Sequence, residues 1–240
     1  MQNNRLLDGR CAVITGAGTA VGRETALLFA SHGAQVALID QPGSQLDQTL
    51  ALLRQITPDA AVFAGDLNSV DEVRHLCGLA AAHLSKVDIL VNGAGIFLGG
   101  TAHTMSEEDF LQVLNTHLLC AITCTKALMP YLCDCRRGDI INFTSDLASF
   151  TSPGTAAIAA AAGGMLAFTR SVTMDYIRYH VRANCVLYPF DNSGDRQPLL
   201  GSPDAVDAAA AALWFACDMS TFIIGEALPV NGGMSFASLE

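Results

Sequence analysis

Two kinds of residue here have the type and spacing for nucleotide chemistry: a run of small residues, and carboxylates at the ends of apolar runs. "TGAGTAVG", Thr15–Gly22, follows the apolar run "CAVIT" and precedes a helical pattern. A glycine-rich turn at such a junction lets backbone N–H groups approach a pyrophosphate at a helix N-terminus. Gly16, Gly18 and Gly22 are the candidates for that close approach. Asp40 ends the next apolar run, "AQVALID". A carboxylate in that place accepts from ribose hydroxyls and repels the 2′-phosphate that distinguishes NADP from NAD. Asp66 and "NGAG", Asn92–Gly95, close the third and fourth runs. Asp66, Asn92, Gly93 and Ala94 join the same candidate edge, because open α/β sheets bind ligands outside the carboxyl ends of their strands.

The elements that must position these residues alternate along the whole chain. Short apolar runs at 11–15, 34–40, 60–66, 87–95, 138–145, 181–189 and 226–233 predict strands. Helical patterns lie between them, near 21–32, 44–56, 69–84, 106–132, 155–179 and 203–217. Fully apolar strands separated by helices imply a parallel sheet covered on both faces. The expected fold is therefore α/β: a doubly wound, Rossmann-type sheet of about seven strands. No linker, repeat or low-complexity segment divides residues 1–240, so one domain is expected.

Composition narrows the function classes. The net charge of −10 argues against nucleic acid or an anionic membrane as partner. The N-terminus "MQNNRLLDGR" is polar, and the Ala tracts at 156–162 and 205–212 are too short to span a bilayer, so a cytoplasmic protein is expected. The eight cysteines follow no repeating spacing and read as free thiols of a reducing compartment. Cys120, Cys124, Cys133 and Cys135 fall close together but lack the C-x2-C spacing of zinc ligands, so no metal is expected.

Taken in order, these motifs resemble the short-chain dehydrogenase/reductase (SDR) family over nearly the whole length. Thr15, Gly16 and Gly22 match the family's T-G-x-x-x-G-x-G, with Ala20 at the middle glycine. Asn92–Gly95 matches N-N-A-G, and "IIGEALPVNGG" matches the C-terminal segment. The resemblance implies an NAD-dependent alcohol dehydrogenase working through Asn, Ser, Tyr and Lys. In that scheme a Tyr hydroxyl exchanges the alcohol proton, and a Lys four residues later on the same helix face favours the phenolate. Asn115 in "VLNTHLL" and Ser145 in "INFTSD" match the first two. The Tyr position is Ile158 and the Lys position is Ala162, and residues 153–169 contain no Tyr, Lys, His, Asp or Glu.

No other residue is an evident substitute. Tyr176 and Tyr179 lie several turns downstream, and Lys126 is about 16 Å along its helix from Asn115. Tyr188, ending the sixth run, is a remote candidate acid; Asp146 adjoins Ser145 without an evident partner; His117 should face away from Asn115 in a packing or surface role. Ser145 and Asn115 can also be scaffold, capping backbone groups and tying helix to sheet. Phe190 follows Pro189 where the family has the Gly of Pro-Gly, which would crowd a nicotinamide ring. Only "DNSGDRQPLLG" stands where the family places its substrate lid. The resemblance therefore implies weak or absent NAD binding and no turnover by this chain alone. It also implies assembly through helices 106–132 and 155–179 and the C-terminal strand. The expected role is a degenerate, non-catalytic subunit beside an active SDR paralogue, as in a heterotetramer, with a homo-oligomer as fallback. The alternative is an active NAD-linked oxidoreductase whose acid chemistry has moved to Ser145 or Tyr188.

Overall fold

A computed structural model describes residues 5–135, 137–189 and 204–234. Seven parallel strands form one sheet in the order β3-β2-β1-β4-β5-β6-β7. They are β1 (Cys11–Thr15), β2 (Gln35–Asp40), β3 (Ala61–Ala64), β4 (Ile89–Asn92), β5 (Gly138–Thr144), β6 (Val181–Leu187) and β7 (Ala227–Pro229). The helices between them are α1 (Ala20–Ser31), α2 (Ser44–Leu53), α3 (Val70–Leu84), α4 (Glu107–Leu114), α5 (Cys120–Asp134), α6 (Ala156–Tyr176) and α7 (Ala205–Ala216). The expected doubly wound fold is present, and the strand order reverses between β1 and β4, which opens a crevice at the carboxyl edge there.

Alternation of side chains along each strand divides the core in two. Ala12 and Ile14 of β1 with Val36 and Leu38 of β2 meet α1, α2 and α7 on one face. Cys11 and Val13 with Ala37 and Ile39 meet α3 and α5 on the other. Both faces of the central strands are apolar because both are covered, which is why the runs read as continuous hydrocarbon.

The expected long helix at 106–132 is interrupted. A π-helical segment, Asn115–Leu119, joins α4 to α5. Such a segment widens one turn and re-aims the side chains it carries, and it is frequent at functional sites. The Ala-rich α6 continues as a 3-10 turn, Ile177–Tyr179. Together they are long and apolar enough to cross a membrane by composition. Here Ala161, Ala162, Met165 and Val172 are buried in the protein, so α6 is built as a core helix.

Candidate functional site

The turn after β1 is held by glycines that leave no room for side chains. Gly16 has φ +70°, and a methyl on it would run into the carbonyl of Gly93. A methyl on Gly22 would in turn strike the carbonyl of Gly16. The turns after β1 and β4 therefore touch, and α1 starts directly behind them. Thr19 caps α1: its hydroxyl donates to Gly16 O at 2.7 Å and accepts from Gly22 N at 3.1 Å. Ala20, the first residue of α1, is exposed, and its methyl lines the cleft where the family's middle glycine would leave bare backbone.

Asp40 reaches across to the same turn. Gly18 N donates to its Oδ2 and Gln41 N to its Oδ1, each at 2.7 Å. Burial pushes the carboxyl above its ordinary range, and the two backbone bonds pull it partly back. An ionised carboxylate has about four lone-pair sites, so two remain for ribose hydroxyls. Arg23 stands beside it, donating to Thr49 Oγ1 at 3.2 Å and to Gln45 Oε1 at 2.5 Å.

The remaining candidates for the cofactor edge part company. Gly93 lines a cleft of about 260 Å³ with Thr19–Val21, Gly95, Phe143, Tyr188 and Pro189. Ala94 instead packs into the core behind the sheet. Asn92 is buried and bonds sideways, its Nδ2 donating to Asn142 Oδ1 at 2.8 Å, so it ties β4 to β5. Asp66 is exposed and holds its own loop by accepting from Asn68 N at 2.9 Å. Gly16, Gly18, Gly22, Asp40 and Gly93 are thus gathered at the crevice, whereas Asp66, Asn92 and Ala94 serve the scaffold around it.

At the other end of the crevice the expected reacting groups are hydrocarbon or already engaged. Ile158 is 1% exposed and sits in a buried cluster with Val113, Ala157 and Ala161, closed by Ile96, Leu98 and Leu147. Ala162, one turn on, is fully buried. Ser145 is 0% exposed, and its Oγ accepts from Leu147 N at 3.2 Å, capping the 3-10 turn Asp146–Ala148. The scaffold role considered for Ser145 is the one the geometry displays. Asp146 does have a partner: Asn231 Nδ2 donates to its Oδ2 at 3.2 Å, and burial raises its carboxyl.

One placement corrects the sequence reading. Asn115 does not line the cleft; it lines an open groove with Asn68, Glu107 and Gln112. His117 faces away from Asn115 and has the packing role expected of it, against the loop after β4. It is buried, and its Nε2 lies 2.9 Å from Ile96 N and 2.6 Å from Ile96 O. Gly95 has no Cβ because the imidazole fills that space. Burial lowers the His117 pKa, with the Ile96 bond opposing, so the ring is neutral near pH 7. The π-helical register sets the Asn115 direction, since regular helical spacing does not give the direction of residues in a widened turn. Phe190 and all of "DNSGDRQPLLG" lie outside the described residues; of the described residues at the end of β6, Tyr188 and Pro189 line the cleft. Burial, with Asp204 and Asp207 nearby, raises the Tyr188 hydroxyl above its ordinary pKa. Lys126 is exposed on α5, and neither it nor Tyr176 or Tyr179 lines the cleft.

A seven-stranded parallel sheet with a glycine turn at its switch point defines a dinucleotide-binding Rossmann architecture. The family profile described as short chain dehydrogenase matches residues 10–193, and the chain belongs to that family. Nodulation protein G of Rhizobium sp. (strain N33) is 30% identical over 243 residues, covering 95% of this chain and 98% of that protein. The 3-oxoacyl-[acyl-carrier-protein] reductase FabG of Thermotoga maritima is 27% identical over 244 residues, covering 95% and 98%. The crystal structure of carveol dehydrogenase from Mycobacterium avium in complex with NAD superimposes with a TM-score of 0.88 at 22% identity, covering 96% of this chain and 99% of that one.

Proposed function

We propose that this chain is a catalytically degenerate short-chain dehydrogenase/reductase. In this reading it is a non-catalytic structural or regulatory subunit of a heteromeric NAD-dependent alcohol dehydrogenase of the hydroxyacyl-CoA type, in the cytoplasm. The observation that carries the reading is buried Ile158, with Ala162 behind it and Ser145 committed to a cap. A general acid contributes roughly 10²–10⁴ in rate, and here an apolar cluster stands in its place.

The crevice still has groups suited to NAD. Asp40, the Gly16–Gly22 turn and the N-terminus of α1 would hold the adenosine diphosphate half, with Ala20 weakening the contact. NAD bound there supplies a hydride acceptor or donor. This chain's own contribution is to orient the nucleotide, since among the described residues lining the cleft Tyr188 alone has a titratable side chain.

A partner is supported by where apolar surface remains. Leu111 of α4, Leu119 and Tyr131 next to and on α5, and Met174 of α6 with Ile177 and Tyr179 are exposed. Met219 and Phe222, just before β7, are exposed as well, Phe222 by 97%. Leu52, Ile56, Leu79, Phe97 and Val206 are exposed elsewhere, but the most exposed apolar side chains, Phe222 and Met174, lie on segments that family members use for assembly, which fits an active SDR paralogue as partner. A complex of similar concept is the dehydrogenase acting on 2-(hydroxy(phenyl)methyl)succinyl-CoA in anaerobic toluene breakdown, which pairs one active with one degenerate subunit. A homo-oligomer is the fallback.

One observation favours the alternative of an active enzyme with relocated acid chemistry: Tyr188 lines the cleft. Its raised pKa makes the hydroxyl a weaker acid and leaves less phenolate at neutral pH, which weighs against that role. The deciding experiment assays the purified chain for NAD(H) turnover with 3-oxoacyl and 3-hydroxyacyl thioesters, alone and co-expressed with SDR paralogues from its own source. The subunit reading expects no turnover alone and a stable, active complex with one paralogue. Robust turnover by the lone chain overturns it.

A further inference from the structure

The buried thiols of this chain divide by what they meet. Cys11 Sγ lies 3.9 Å from Leu84 O, Cys185 Sγ 3.0 Å from Thr169 Oγ1, and Cys217 Sγ 3.4 Å from Trp214 O. Each of these sulfurs has an oxygen partner. Cys77, Cys120 and Cys124 turn to one another instead, with the Cys124 thiol in hydrogen-bonding reach of both others. All three are buried. Cys77 belongs to α3, Cys120 and Cys124 to α5, and they share the core cluster between those helices and the sheet. Ala80 and Ala81, on the same buried side of α3 as Cys77, are small enough to let the two helices approach closely. The two pairs at Cys124 differ in direction. Cys120 lies one turn before it on the same helix, where both side chains lean the same way along the axis. Cys77 enters the contact from the facing helix, the opposed approach that a sulfur–sulfur bond requires.

We propose that Cys77 and Cys124 form an internal disulfide site, held as free thiols in the structure described and closed by a hydroperoxide, which ties α3 to α5. The Cys77 sulfur attacks the O–O bond and becomes a sulfenic acid, and an alcohol leaves (water, from hydrogen peroxide). The Cys124 sulfur then displaces hydroxide from that sulfenic sulfur, and its own proton completes a water molecule. Two thiols lose two electrons and two protons in all, and the hydroperoxide is reduced. The neighbouring thiols and burial hold the Cys124 pKa well above its ordinary value, so Cys124 stays protonated and the first attack falls to Cys77. Both sulfurs are shielded, so the bond forms slowly, on local opening of the helix contact. The loop it closes carries β4, the Asn92–Gly95 turn, α4 and the π-helical segment. Closure removes freedom chiefly from the unfolded chain, so the oxidised protein is the harder one to unfold. This inference stands apart from the subunit reading, since neither a partner nor turnover enters it.

The test treats the purified full chain with hydrogen peroxide, caps the remaining thiols and maps the peptides by mass spectrometry without reduction. A Cys77–Cys124 crosslink is expected, about 2 Da lighter than its two thiol peptides. It should come with a rise in Tm of about 5 °C or more, reversed by a thiol reductant. Cys77→Ala and Cys124→Ala should each abolish both signals, whereas Cys120→Ala should keep them. Unfolding scans of the reduced variants verify that they are folded, and the wild-type map decides alone where one is not. Crosslinks confined to other pairs would overturn the proposal. So would Cys77 and Cys124 both remaining free once the less buried Cys133 and Cys135 are fully oxidised.

Discussion

The two edges of the sheet have been built to opposite rules. At the amino edge, charge is dense and paired, although Arg182 Nε is buried without a hydrogen-bond partner. Asp139, the second residue of β5, is 2% exposed and receives Arg10 at 2.8 Å, Arg137 at 3.0 Å and Arg182 at 2.6 Å. The same guanidiniums donate to the last carbonyls of α7 and the turn after it: Arg182 to Phe215 O, Arg10 and Arg137 to Ala216 O, Arg137 to Cys217 O. They thereby occupy acceptors that every helix leaves open at its C-terminus, where cations are also favoured by the helix dipole. At the carboxyl edge no cation lines the cleft among the described residues, and the positions aligned with Tyr and Lys are apolar. One edge concentrates buried charge on a shared carboxylate; the described cleft at the other is lined by backbone, hydrocarbon and hydroxyl groups.

Four variants test this contrast, from the largest effect to the smallest. Asp139→Asn leaves three guanidiniums converging on a neutral amide, and removing one member of such a buried network costs about 3–5 kcal/mol. For a chain of this size that corresponds to a fall in Tm of about 10 °C, read by calorimetry. A change under about 2 °C would mean the arginines are held by the α7 carbonyls alone. Restoring the reacting pair with Ile158→Tyr and Ala162→Lys should cost about 1–3 kcal/mol, because the site is now a close-packed apolar cluster. Turnover should stay absent from the NADH absorbance trace, since Ser145 remains engaged as a cap.

The third test concerns His117. Its folded pKa is depressed by burial, so the neutral ring contributes stability above the ordinary histidine pKa, and that stability is lost as pH falls toward the folded value. One nitrogen lies within reach of both the N–H and the C=O of Ile96, and in a single tautomer it can serve only one of them. A carboxamide offers both a donor and an acceptor. His117→Asn should therefore lose the pH dependence, so that urea midpoints of variant and wild type diverge between pH of about 7.5 and about 5.5. The smallest effect is expected at Asp146. Its folded pKa is raised, so the protonated form's contribution is lost as pH rises through the folded value, and the buried charge costs stability at neutral pH. Asp146→Asn keeps an acceptor for Asn231 and removes that cost, raising Tm by about 1–3 °C near neutral pH. The gain should vanish in acid, where the wild-type carboxyl is already neutral.

Much of the fold was legible in the residues themselves. The strands and helices fell where the apolar runs and helical patterns indicated, because each strand is covered on both faces and each helix packs along one stripe. β4 and β7 came out shorter than their apolar runs, since residues beyond Asn92 and Pro229 leave the ladder to form turns. The glycine turn and Asp40 were readable because their geometry is local: a tight turn demands glycine, and a strand-end carboxylate can serve only that edge. The lack of titratable side chains across 153–169 was readable too, because it is a property of composition.

What the sequence determined by itself was the α/β architecture, the nucleotide edge and the lack of any titratable group across 153–169. Only the tertiary structure decided which polar residues face the cleft. It set Asn115 in an open groove and His117 against the loop after β4 through one π-helical turn, and it placed Tyr188 and Pro189 on the cleft. It also brought Arg10, Arg137 and Arg182 onto Asp139 from three different strand starts. The physical reason is range. Turn, strand and helix preferences act between near neighbours and are written in short stretches. The direction of a side chain in a widened helical turn, and the meeting of charges 129 residues apart, depend on how all the layers close together.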